Sequence, residues 1–319
     1  MKINSKFLLA VINLICIATL LLWFSQNISL QEVITHLGTI PKTSLITVLG
    51  LSIAILAIYG LRMSALLGTR FTPALATIVL GFGLNGILPL RLGDVAKMVY
   101  VKQLFGISTA RVAAATAVEK LLDIGAVLII GFSVLQFVSF GRIHSGIYAL
   151  AAFLFVAVSG LLIAGWLLGS RRSSEQRIYV WLNSVLAGVR NHFKGQQRLI
   201  ITFYTAAIWA VTILTTYVMF ASIYDGFGLS DAFLLTLVLV LAIAIPGAPA
   251  GLGIVEAGIV GYLHEVVGVD AAHAIAAALA FHLATVIPQV FGAVGILIWG
   301  VLRGRFRWGR VSVAEKQRR

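Results

Sequence analysis

Residues 7–24 form an 18-residue run without a charged side chain, and similar apolar runs recur at 44–61, 146–168 and 199–222. A helix needs about 20 apolar residues to cross a bilayer core of ~30 Å, so each run reads as a span. Two further helices, 109–140 and 270–302, are longer than a membrane requires, and Pro288 predicts a kink in the second. Two apolar stretches break the pattern. Residues 73–90 are interrupted by Gly81, Gly83, Gly86 and Pro89, with Gly93 just beyond. Residues 232–246 end at Pro246 and continue as Gly247-Ala248-Pro249-Ala250-Gly251-Leu252-Gly253. Short apolar segments broken by Gly and Pro read as re-entrant hairpins. Their irregular backbone must face protein or a water-filled cavity, because lipid satisfies none of its polar groups. Amphipathic connectors are expected at 28–37 and 175–190, where apolar residues recur at helical spacing.

The same order of elements occurs twice: span, connector, span, broken hairpin, long Ala-rich helix. Local matches accompany it. Pro89-Leu90-Arg91-Leu92-Gly93-Asp94 aligns with Pro249-Ala250-Gly251-Leu252-Gly253-Ile254, and Gly106-Ile107-Ser108 with Gly268-Val269-Asp270. Three crossings per half invert the second half relative to the first, and inverted repeats with broken helices are a transporter architecture. The predicted fold is therefore an all-α polytopic membrane protein, about six transmembrane helices plus two re-entrant broken hairpins in inverted-topology repeats. It forms a single membrane domain over 1–319, with halves of about 1–141 and 142–302 and a basic tail at 303–319.

Composition agrees. Of 319 residues 60% are hydrophobic and 11% charged, against about a quarter charged in soluble domains; mean hydropathy is +1.02. A soluble enzyme, a disordered chain and a collagen-like fibre are excluded. The formal charge of +13 would suggest nucleic acid in a soluble protein. With six crossings and a cytoplasmic N-terminus, only Lys42 and Arg142 of 24 cations fall outside. The charge is thus read as a positive-inside signal and a contact with anionic headgroups, and nucleic acid is dropped as a partner. Arg62 and Arg70 count among the inner cations, and both termini are placed in the cytoplasm. The N-terminal run has no small-residue cleavage site and reads as a retained anchor. The single cysteine, Cys16, permits no intramolecular disulfide.

Few charges remain to carry chemistry. Asn85, Arg91 and Asp94 surround the first chain break, where freed N–H groups and a planar guanidinium suit a phosphate; equally, Arg91 and Asp94 suit a simple interfacial pair. Glu119, Lys120 and Asp123 can share a face of the third helix, with Arg111 two turns earlier, and charges inside a spanning helix are costly enough to suggest function. Glu256 follows the second break, and His282 falls where the repeat places Lys120. Gly81-Phe82-Gly83-Leu84-Asn85-Gly86 matches a dinucleotide fingerprint but lacks the surrounding βαβ unit. No metal, cofactor or catalytic residue is expected.

The elements Pro89-Leu90-Arg91-Leu92-Gly93-Asp94, Gly106-Ile107-Ser108, Glu119-Lys120-Leu121-Leu122-Asp123 and Pro249-Ala250-Gly251-Leu252-Gly253-Ile254-Val255-Glu256 resemble the lysylphosphatidylglycerol synthase transmembrane, or flippase-like, family. The resemblance implies a bacterial or archaeal inner-membrane protein that moves aminoacylated or related lipid between leaflets. The family usually has Glu-Arg at Glu119-Lys120 and Tyr-Arg at Phe281-His282; Lys keeps the charge but loses the bidentate fork. Only a basic tail follows Leu302, so synthesis of lysyl lipid by this chain is not expected. Three readings stay open: a lipid translocase working by alternating access, a secondary transporter of a small polar or anionic solute, and a non-transporting membrane partner of a lipid-modifying enzyme or glycosyltransferase. An oligomer is compatible with each.

Overall fold

The computed structural model describes residues 29–137, 196–244 and 249–305. The predicted spans at 7–24 and 146–168, the connector at 175–190, Pro246 and most of the basic tail lie outside these residues. Among the described residues every regular element is helical. In chain order they are α1 (Leu30–Thr39), α2 (Lys42–Leu67), α3 (Phe71–Asn85), a 3₁₀ turn (Pro89–Arg91), α4 (Gly93–Phe105), α5 (Thr109–Phe137), α6 (Gln196–Ala221), α7 (Leu229–Ala244), a second 3₁₀ turn (Pro249–Gly251), α8 (Ile254–Tyr262) with a π-helical turn (Leu263–Val267), and α9 (Ala271–Leu302).

Lys42–Leu67, Gln196–Ala221, Pro249–Val267 and Ala271–Leu302 are long and apolar enough to cross a membrane; Phe71–Asn85 and Leu229–Ile243 are apolar but shorter. At 1.5 Å per residue the 26 residues of α2 extend about 39 Å. Apolar side chains face outward as well as inward: Phe203 is 67% and Phe291 71% exposed. Helices that are hydrophobic all round belong in a bilayer.

The element order of the two halves agrees: α2, α3, 3₁₀ turn, α4, α5 against α6, α7, 3₁₀ turn, α8, α9. The Gly-Ile-Ser and Gly-Val-Asp matches acquire a structural reason. Gly106 and Gly268 adopt left-handed φ of 73° and 80° and end the second leg of each hairpin. Ser108 Oγ accepts from the Arg111 amide at 3.3 Å. Asp270 accepts from the amides of Ala272 and His273 at 3.0 and 3.2 Å, so each residue caps a long helix.

Packing crosses between the halves. The first hairpin leg, α3, packs on α9, and the corresponding α7 packs on α5. Ala293 of α9 belongs to the core of the first half and Ile130 of α5 to that of the second. The α3–α9 contact is backbone against backbone: a Cβ on Gly83 would lie 2.1 Å from the Gln289 carbonyl oxygen, and one on Gly292 2.8 Å from Val79. Helix α9 continues through Pro288. The connector expected at 28–37 forms α1, which seats Val33 against Ala272, Ile275 and Ala276 and stacks His36 on His273 at 4.5 Å.

Candidate functional site

The first hairpin turns over seven residues between α3 and α4. Gly86 ends α3, and Pro89 opens the 3₁₀ turn, where its missing N–H leaves no bond unmade. Gly93 lets the legs close: a Cβ there would lie 2.4 Å from the Asn85 amide nitrogen and 2.6 Å from its Oδ1. Across this closure Asn85 Nδ2 donates to Asp94 Oδ2 at 3.3 Å, and Lys97 Nζ lies 2.9 Å from Asp94 Oδ1. Asp94 therefore pairs with Lys97 and Asn85, not with Arg91. Lys97 is buried, its chain lying over Gly81.

Arg91 sits in the left-handed region at φ 56°. A non-glycine residue there costs about 1–2 kcal/mol, and such outliers collect at functional sites. Its guanidinium donates to the carbonyl of Ile243, at the end of α7. The two 3₁₀ turns also touch, so the breaks predicted at corresponding places in the two halves meet in space.

Helix α5 brings the second set of charges. Lys120 lies within electrostatic reach of Glu119, Asp94, Asp123 and Arg91, and its ammonium stands 5.6 Å from the Phe82 ring of α3. Glu119 is 1% exposed; Lys120 Nζ is 3.4 Å from Oε1, yet neither carboxylate oxygen has a hydrogen-bond partner among the described residues. Asp123 turns to α2, where Arg62 Nη1 meets its Oδ1 at 2.7 Å and the Thr205 hydroxyl at 3.2 Å. Arg62 is 0% exposed and lies 4.8 Å from the Tyr59 ring centre, with no hydrogen bond from Nε or Nη2 among the described residues.

Arg62, counted in the sequence among the inner cations, is buried within the protein and paired with Asp123. The apolar run stops at Leu61, but α2 continues to Leu67 before the left-handed Gly68 caps it. Arg62 therefore lies inside the helix, one turn from Tyr59 on the same face. Arg111 also departs from expectation, donating to the Leu67 carbonyl instead of facing Glu119. Thr205 had no sequence signal of its own, since it meets Arg62 only through a contact between helices, whereas Lys97 and Tyr59 lie one turn from Asp94 and Arg62 on their own helices, a spacing the sequence carries. The assembled cluster holds four formal cations (Arg62, Arg91, Lys97, Lys120) and three carboxylates (Asp94, Glu119, Asp123), one positive charge in excess.

The second hairpin carries a separate polar centre. Beyond Pro249, φ is positive at Ala250 (56°), Gly251 (78°) and Gly253 (85°). Glu256 Oε2 accepts from the Gly253 amide at 2.7 Å, capping α8, while Oε1 lies 2.5 Å from His282 Nδ1. His282 Nε2 lies 3.2 Å from the Ala250 carbonyl oxygen. Both ring nitrogens are thus occupied within the protein. His282 ties α9 to the second break through Glu256 and Ala250.

Residues 8–293 match the model of the lysylphosphatidylglycerol synthase TM region. The chain belongs to this family. No curated protein and no solved structure matches it. Membership makes it a multi-pass membrane protein, and the family match spans both hairpins and both polar centres. Among the described residues, no three His, Cys, Asp or Glu side chains come together to hold a metal ion.

Proposed function

We propose that the chain is a lipid translocase that carries a phospholipid or other lipid-linked headgroup between leaflets by alternating access. Two re-entrant hairpins in inverted halves form its centre, within a bacterial or archaeal inner membrane and with both termini cytoplasmic. One observation carries this reading: two broken turns meet beside buried charges whose bonding capacity is unfilled. Among the described residues Arg62 keeps two nitrogens and Glu119 both oxygens without a hydrogen bond, though each is at most 1% exposed. Unfilled hydrogen-bonding capacity on buried charges is expensive in a membrane, and a headgroup bearing both signs of charge would satisfy it. Arg91 and Lys120 are less buried, as groups that first meet such a headgroup would be. The excess positive charge favours a phosphate, and Glu119 suits an ammonium group.

Net movement requires the hairpins to separate or slide. The Arg91–Ile243 contact joins them across the halves, so it belongs to one state and must break in another. Reconstitution into liposomes carrying fluorescent phospholipids, followed by dithionite quenching, tests the proposal. Faster quenching of inner-leaflet lipid than in protein-free liposomes is expected for at least one headgroup class. Quenching at the protein-free rate for anionic, zwitterionic and aminoacylated lipids alike would refute it.

A further inference from the structure

Away from both polar centres, α3 and α9 leave a trench between them. Its volume is about 410 Å³, and Thr72, Ala76, Val79, Gly292, Gly295 and Trp299 line it almost wholly with apolar atoms. That volume lies within the range of small-molecule sites. The trench follows α3 from Thr72 to Val79 and α9 from Trp299 back to Gly292, a length of about 10 Å on each helix. Gly295 leaves the space open, while Gly292 lets Val79 approach closely. No atom lies within 4 Å of the place where a Gly295 Cβ would be.

One end of the trench is distinct. Trp299 stacks on Phe105 at 6.2 Å, and Arg303 stands 6.0 Å from the Trp299 ring. Indole rings collect at membrane–water interfaces. Arg70 precedes α3 next to Thr72, and Lys102 lies one turn before Phe105 on α4. Arg305 is already engaged, donating to the Leu104 carbonyl at 3.2 Å. Arg70, Lys102 and Arg303 are exposed and make no ion pair among the described residues. The segments 67–72, 100–108 and 299–305 contain no Asp or Glu.

An apolar trench with unopposed cations and an interfacial indole at one end has the chemistry of a diacyl anionic lipid. We propose that this trench is a seat for one anionic phospholipid, an acyl chain lying between α3 and α9 and the phosphate held by Arg70, Lys102 and Arg303. The seat is separate from the buried charges and does not depend on the transport reading. Clustered basic side chains at a bilayer surface attract anionic headgroups, and the trench adds a fixed place for the chain.

The test is native mass spectrometry of the full chain in a neutral detergent, with dioleoyl phosphatidylglycerol and dioleoyl phosphatidylcholine at equal concentration. One phosphatidylglycerol should be retained per chain, with at least tenfold preference over phosphatidylcholine. Gly295→Leu, whose side chain enters open space, should lower that retention at least tenfold without moving the unfolding midpoint in lipid-free detergent. Lys102→Gln with Arg303→Gln changes only exposed side chains and covers the case in which Gly295→Leu does not fold. It should bring the two lipids within twofold of each other by weakening phosphatidylglycerol alone. Equal retention of both lipids by the unaltered chain, or full phosphatidylglycerol retention in either folded variant, would overturn the assignment. A changed oligomeric state in Gly295→Leu would also overturn it, giving the trench to a second copy.

Discussion

Replacing Asp123 by Leu removes the charged partner of a guanidinium that has no exposed surface. Breaking a buried ion pair from one side costs about 3–5 kcal/mol. Two features place this site toward the lower end. The Asp123 side chain is 16% exposed, so part of its charge is already solvated. The Thr205 hydroxyl and the Tyr59 ring remain beside Arg62 after the substitution. A loss of about 3 kcal/mol is expected for Asp123→Leu, and about 1–2 kcal/mol for Asp123→Asn, whose carbonyl oxygen still accepts from Nη1. Arg62→Met combined with Asp123→Leu removes both charges. Apolar replacement of a buried pair is often neutral, so the double variant should be more stable than the sum of the single losses by about 2–3 kcal/mol. Unfolding in mixed micelles at rising SDS mole fraction, followed by tryptophan fluorescence, measures the unaltered chain, Asp123→Leu, Asp123→Asn, Arg62→Met and the double variant. Additivity within about 0.5 kcal/mol, the behaviour of independent sites, would refute the claim that this pair fastens α2 to α5.

Arg91→Gly should separate stability from transport. Relief of the left-handed backbone offsets the lost bond to Ile243, so stability should stay within about 1 kcal/mol, while dithionite-accessible lipid movement falls at least tenfold; an active Arg91→Gly would remove Arg91 from the site. Gly83→Ala should destabilise by at least about 1–3 kcal/mol, because its methyl meets the Gln289 carbonyl at 2.1 Å, whereas Gly50→Ala, with nothing within 4 Å, should be neutral or stabilising by up to about 1 kcal/mol; paired thermal midpoints decide this. Glu256→Ala loses both the Gly253 and the His282 contacts and should cost about 2–3 kcal/mol, against about 1 kcal/mol for Glu256→Gln, which still accepts from Gly253. Equal midpoints for the two Glu256 variants would dismiss the capping role.

The described core of the fold was legible from periodicity and punctuation. Gly86, Pro89, Gly93, Pro249, Gly251 and Gly253 mark the chain breaks because backbone geometry constrains those residue types directly. The Gly-Ile-Ser and Gly-Val-Asp matches located two helix starts for the same reason. Helix ends and charge partners were less visible. Hydropathy ended α2 at Leu61, because a hydropathy window treats arginine as solvent-facing and cannot see a carboxylate on a helix 61 residues away. Asp94 and Arg91 are close in sequence, yet the turn sends one to Lys97 and the other across to α7. Glu256 and His282 were each singled out, but their pairing depends on how α8 lies against α9, which no local pattern encodes.

The exchange of partners between halves has a consequence for biogenesis. Gly83 is shaped to receive the backbone around Gln289, which the ribosome adds about two hundred residues later. At roughly 5–20 residues per second the first hairpin waits some 10–40 s for the helix that completes its packing, with Lys97 and Asp94 already in its folded legs. During that interval Gly83 lacks the Gln289 backbone it packs against. The two halves are therefore not successive folding units. A chain divided in the 138–195 region should recover its native packing only when both fragments are made in the same membrane.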